Sequence, residues 1–217
     1  MKIVVCGDSY MTQDTRCPGG HFSEMLAPHE VVNLARGGIS NTGICFQLEQ
    51  AAKLAPHVVI VGTTDSSRME VPTGNGKFNP RLGLKNIAYS HKISGSYGTE
   101  YAGTESAPIA SDTLSTLSGV AGSNYALTDN IKHAVKEYLA YLHVPELKSV
   151  TDSWMINYWI MILQQAGVQV MQAREIMPEI YSYAGPTEGT DSVPWVFHTD
   201  RATQIAVRQG LKENFGI

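Results

Sequence analysis

Positive charge, cysteine and long apolar runs are all scarce in this chain, and each shortage excludes something. Its 217 residues carry 16 Lys and Arg against 20 Asp and Glu, a formal net charge of -4. Binding to nucleic acid draws on a basic surface that neutralises phosphates, so nucleic acid is not an expected partner. The three cysteines, Cys6, Cys17 and Cys45, have no metal-ligand spacing, and an odd count fits a reducing compartment. No uninterrupted apolar run reaches the roughly 18 residues of a membrane span. The first such run ends at Gly7 and Asp8, before a secretory core could form. A dinucleotide-type Gly-x-Gly-x-x-Gly turn and a P-loop are also missing. What remains is a soluble chain, 43% apolar, sized for one well-buried core across residues 1–217.

What is present is a regular alternation in the first third. Lys2–Cys6 reads as a strand and runs into Gly7-Asp8-Ser9. Glu30–Leu34 reads as a second strand that ends near Gly37-Gly38. A helix is expected over Asn41–Leu54, with Ile44, Leu48 and Ala51/Ala52 on one face and Pro56 beyond it. His57–Val61 is a continuous apolar strand of the kind buried on both faces of a parallel sheet. Strand, turn and helix in this order predict a doubly wound α/β fold with four to five parallel strands. Ser9 then falls at the carboxyl edge of the sheet, where open α/β folds bind ligands.

The alternation breaks at Pro72–Asn124, rich in Gly, Ser, Thr and Tyr and without periodicity, which reads as a long inserted loop. A helix is expected from the cap Thr128 to Leu142, with Pro145 stopping it. Asp152–Ala166 is apolar nearly all round, through Trp154, Met155, Ile156, Trp159, Ile160 and Leu163, and is expected to be core on several sides. Val168–Met171 reads as the fourth strand and Asp200–Asn214 as the last helix, capped by Thr199 just after His198.

Four short blocks in this order resemble the GDSL/SGNH hydrolase superfamily. The resemblance implies a flavodoxin-like three-layer α/β/α fold and cleavage of esters, thioesters or carbohydrate O-acetyl groups. Gly7-Asp8-Ser9 matches well and implies Ser9 as nucleophile. Gly37-Gly38-Ile39-Ser40-Asn41-Thr42 is similar to the family's glycine block and implies an oxyanion-binding main-chain N–H at Gly38 or Asn41. The third block departs from the family: Gly62-Thr63-Thr64-Asp65 puts Thr64 where an oxyanion Asn is usual. Arg68, close behind Asp65, is a candidate for gripping a carboxylate or phosphate, or an ordinary surface charge paired with Asp65 or Glu70. The fourth block keeps His198 as general base but has Trp195 where the family places its Asp. Asp191 is then the better candidate to orient His198, and Asp200 serves the helix dipole.

The resemblance thus implies a serine esterase or deacetylase needing no metal or cofactor, acting on a small-molecule ester or acetylated glycan. Its two departures leave a second expectation, a weak or inactive binding or structural module. The Thr64–Arg68 stretch and late Phe197-His198 resemble variants in phage-encoded and marine bacterial proteins. That adds a virion to the cytoplasm as a setting, and other virion proteins or self-association as partners.

Overall fold

Four apolar segments pair side by side, all parallel, in the computed structural model. They are β1 (Lys2–Cys6), β2 (Glu30–Asn33), β3 (Val58–Val61) and β6 (Gln169–Gln172), in the order β2-β1-β3-β6. Ile3 lies opposite Val58 and Val5 opposite Ile60. Two further strands, β4 (Arg68–Glu70) and β5 (Ser90–Lys92), form an antiparallel ribbon of their own. The helices are α1 (Asn41–Lys53), α2 (Pro145–Gln165), α3 (Ala173–Ile176) and α4 (Arg201–Phe215), with a 3-10 turn at Phe22–Met25. The structure describes residues 1–8, 10–13, 18–36, 39–64, 66, 68–70, 90–92, 137, 141–178 and 201–217. These belong to two units. The first comprises Met1–Gly37, Gln47–Thr63 and Tyr158–Ile217; the second comprises Gly38–Phe46 and Thr64–Asn157.

The first unit holds the whole four-stranded sheet. No residue from Ile3 to Cys6 or from Val58 to Val61 is more than 2% exposed. Because successive side chains point to opposite faces, both faces must be covered, which is why these strands read as unbroken apolar runs. On one face Ile3, Val5, Val58 and Ile60 pack with Met11, Phe22, Leu26, Val207 and Leu211. Val4, Val59 and Val61 point the other way, and Leu48, Ala51 and Leu163 of the same unit are buried as well. Each such side chain contributes about 1.5–3 kcal/mol on burial. Helix α4 is tied down by polar contacts too: Phe22 N donates to Gln204 Oε1 at 2.8 Å and Arg208 Nε to the Met25 carbonyl at 3.4 Å. The α/β fold expected from the sequence is the one observed, and β2-β1-β3-β6 is the flavodoxin-like strand order.

Three local expectations fail. Pro145 begins a helix; it does not simply end one. A proline at the first helical turn lacks only an N–H that would have no partner there, and its φ is already helical. The helix expected to start at Asp152 therefore starts two turns earlier. The same helix is not core all round. Asp152, Ile156, Ile160 and Leu163 line its buried side, whereas Leu147, Val150, Trp154, Tyr158 and Met161 are exposed, Trp154 at 68%. Apolar residues on every side carry no directional signal, so the sequence could not say which side faces the core. Finally, Ser90–Lys92 forms a strand inside the segment read as a loop. A three-residue strand is too short for alternation to show. The remainder of 72–124, and most of 128–142, lies outside the described residues.

Candidate active site

In the first unit the chain leaves β1 through a tightly constrained turn. Gly7 has φ +150°, and a Cβ there would sit 2.9 Å from the Gly62 carbonyl oxygen and 2.5 Å from Met11 Cγ. Only glycine fits. Its backbone is held by a buried amide: Gly7 N donates to Gln47 Oε1 at 2.6 Å, and Gln47 Nε2 donates to the Gly7 carbonyl at 3.1 Å. The same carbonyl accepts from Arg36 N at 3.0 Å, so both of its lone pairs are engaged. The next residue closes the turn. Asp8, 1% exposed, accepts from Tyr10 N on Oδ1 at 3.1 Å, while its carbonyl accepts from Met11 N at 3.1 Å and Thr12 Oγ1 at 2.8 Å. The Asp of the Gly-Asp-Ser triplet is therefore a turn former.

In the second unit a buried polar group gathers around Asn41. Asn41 Oδ1 accepts from Thr64 N at 3.0 Å, and Asn41 Nδ2 donates to the Thr64 carbonyl at 3.0 Å and to Asp152 Oδ2 at 3.1 Å. Asp152, 2% exposed, is also paired with Lys148 one helical turn before it. Ser40 accepts from Gly43 N at 3.3 Å, capping α1. Ile39 covers Gly43 so closely that a Cβ there would collide with Ile39 Cγ1 and Cδ1. Asn41 thus spends both amide hydrogens inside the protein, and its side chain is not an oxyanion donor. Thr64 likewise spends its main-chain N–H on Asn41.

Of the residues singled out in the sequence, the structure brings together Asn41 and Thr64. It places the backbone of Arg68 in β4 opposite Lys92. Ser9, His198, Asp191, Gly38 and Asp65 lie outside the described residues, as do Trp195 and Asp200. Gln47 was missed. The only available signal was a polar side chain between Ile44, Leu48 and Ala51 on the buried face of α1. In the sequence Asp152 opens an apolar run, and its partner Lys148 lies before that run. Cys6 is the small core residue expected, with burial raising its thiol pKa far enough to keep it protonated.

A Ser–His contact within the first unit is structural. His21 caps the 3-10 turn: its Nδ1 accepts from Ser23 N at 3.3 Å and lies 2.8 Å from Ser23 Oγ, while Nε2 is 3.4 Å from the Tyr10 carbonyl. Ser23 N–H can only donate, so Nδ1 is bare and the ring proton is on Nε2. Burial lowers the His21 pKa from 6.5 to about 4, against the opposing pull of the Tyr10 carbonyl and the Glu24 charge. At 5% and 2% exposure, His21 and Ser23 offer nothing to a substrate. Among the described residues no helix is long and apolar enough to cross a membrane.

The fold defines a parallel α/β protein in which Thr64 follows the carboxyl end of β3. No protein-family model matches the chain, and no curated protein matches it in sequence. In structure it is similar to a member of the lipolytic protein G-D-S-L family from Veillonella parvula, at 11% identity and a TM-score of 0.38, over 99% of this chain and 98% of that one. A putative lipolytic protein of the G-D-S-L family from Desulfitobacterium hafniense gives 13% and 0.35, over 98% of each chain. An acetyl xylan esterase gives 11% and 0.35, over 99% of this chain and 100% of the other. Likenesses this distant carry no argument about activity, which rests on the chain's own residues.

Proposed function

We propose that the chain is a serine hydrolase of SGNH/GDSL type, cleaving a carboxylic ester or a carbohydrate O-acetyl group through an acyl-enzyme. Ser9 attacks the acyl carbonyl, and His198 takes its proton and returns it to the leaving alcohol. Main-chain N–H groups at Ser9 and around Gly38–Asn41, with the Thr64 hydroxyl, receive the oxyanion. Asp191 orients His198 in place of the family's Asp, since Trp195 cannot accept a hydrogen bond from the imidazole.

The observation that carries this reading is the turn after β1. Gly7 is pinned between Gly62 and Met11, gripped by Gln47, and followed by an Asp whose carboxylate and carbonyl both fold the chain back. A turn fixed this firmly at the carboxyl end of a central strand is the setting in which α/β hydrolytic enzymes expose a nucleophile. A second reading is favoured by Thr64 and Trp195, which stand where the family pattern has an oxyanion Asn and an orienting Asp. It is a catalytically weak or inactive SGNH-like module for binding or structure, such as a phage virion component that associates with other virion proteins.

A panel of p-nitrophenyl esters and acetylated glycans, run with wild type and Ser9→Ala, separates the two readings. Turnover abolished by Ser9→Ala supports the hydrolase. Wild type indistinguishable from Ser9→Ala supports the module.

A further inference from the structure

We propose that Gln47 is a positioning residue for the nucleophile turn, an assignment that rests on the reading of Ser9 as nucleophile. The amide of Gln47 is fully buried and meets Gly7 on two sides at once, accepting from its N–H at 2.6 Å and donating to its carbonyl at 3.1 Å. That is what a neighbouring strand would offer, supplied here by one side chain from α1. The clamp acts where β1 stops pairing as a strand. Gly62 N donates to the Cys6 carbonyl at 2.9 Å and Arg36 N to the Gly7 carbonyl, and beyond that Asp8 turns the chain.

The chemistry of glutamine suits this role in a way that its near relatives do not. Oε1 only accepts and Nε2 only donates, so the amide reads N–H and C=O in a single orientation and fixes the peptide planes on both sides of Gly7. Gly7 needs such restraint, because φ +150° is open to it alone and a glycine backbone is otherwise the freest in the chain. Ser9 stands two residues further on, so a rotation at Gly7 is passed to it through Asp8. Glutamate at position 47 would keep the acceptor but set a second oxygen against the Gly7 carbonyl. Methionine would fill the space and supply neither bond.

Misplacement of a reacting group by about 1 Å costs on the order of 100-fold in rate, and that is the effect expected. The test measures kcat and KM for p-nitrophenyl acetate in wild type, Gln47→Met, Gln47→Glu and Ser9→Ala, with hydrogen exchange at the Gly7 and Val4 amides. The proposal expects kcat to fall about 100-fold in both Gln47 variants with KM within about twofold. Protection at Gly7 should be lost in Gln47→Met and retained in Gln47→Glu, whose carboxylate still accepts from the Gly7 N–H, with Val4 protected in both. If Gln47→Met does not fold, Gln47→Glu carries the same expectation for kcat and KM. Ser9→Ala inactive with both Gln47 variants at wild-type kcat overturns the proposal and leaves the hydrolase intact, and so does a KM rise at unchanged kcat. Wild type with no more turnover than Ser9→Ala overturns both.

Discussion

Acidifying the protein from about pH 7 to about pH 4 should cost it about 3 kcal/mol through one imidazole, that of His21. In the unfolded chain His21 takes up its proton near 6.5, whereas in the folded protein burial holds it off until about 4. Between these values the unfolded state binds more protons, so stability falls as pH drops through the window and this contribution is exhausted below it. Each pH unit there is worth about 1.4 kcal/mol, which gives the total. The structural reason is visible at Nδ1, whose lone pair faces the Ser23 N–H at 3.3 Å and the Ser23 hydroxyl at 2.8 Å. That hydroxyl accepts from Asn33 Nδ2 and Gln13 Nε2, each at 3.2 Å, so its own proton is directed at the ring. A proton on Nδ1 would confront two donors. The assay is urea unfolding across the window for wild type and His21→Asn, since asparagine keeps a cap acceptor but does not titrate. Wild type should lose about 3 kcal/mol more than the variant, or roughly 6–12 °C in melting temperature. Parallel losses in the two proteins, or an NMR titration of His21 centred near 6.5, would refute the reasoning.

Other substitutions have equally definite outcomes. Trp154→Gln on the exposed side of α2 should change stability by less than about 0.5 kcal/mol, while Leu163→Ala on its buried side should cost about 2–5 kcal/mol; thermal melts of the two variants decide whether this helix is one-sided. Asp152→Leu should cost about 3–5 kcal/mol, because it strands Lys148 and removes an acceptor from Asn41. The double variant Lys148→Met/Asp152→Leu should be less damaging, and a double-mutant cycle in urea with no coupling would count against the pair. Ala55, held at φ 46° after α1, should gain about 0.5–1 kcal/mol on conversion to glycine, read as a rise in the denaturation midpoint, and a fall would contradict it.

The sheet was legible in the sequence because its strands announce themselves. Val58–Val61 is apolar at every position since both of its faces are covered, and Lys2–Cys6 leads straight into Gly7. Helix α2 was misread in its boundary and its orientation because Pro145 is compatible with starting a helix as well as with ending one, and because Trp154 and Tyr158 on the solvent side resemble core residues. For the candidate site, Asn41 and Thr64 were found as motif positions, but their mutual grip was not. Hydrogen bonds between a side chain and a backbone 23 residues away leave no trace in local spacing. Gln47 was hidden for the same reason, its partner Gly7 lying 40 positions earlier. Polar residues on an otherwise buried helical face are the one sequence cue to such clamps.

The central claim, that Ser9 is an activated nucleophile, is tested most directly by covalent capture. Wild type, Ser9→Ala and His198→Ala are incubated with a fluorophosphonate, and the adduct is counted by intact mass and located by peptide mapping. The account predicts one adduct per chain on Ser9, absent from Ser9→Ala, strongly slowed in His198→Ala and lost when the protein is unfolded first. A folded protein that takes no adduct, or that takes one on another serine, would contradict it.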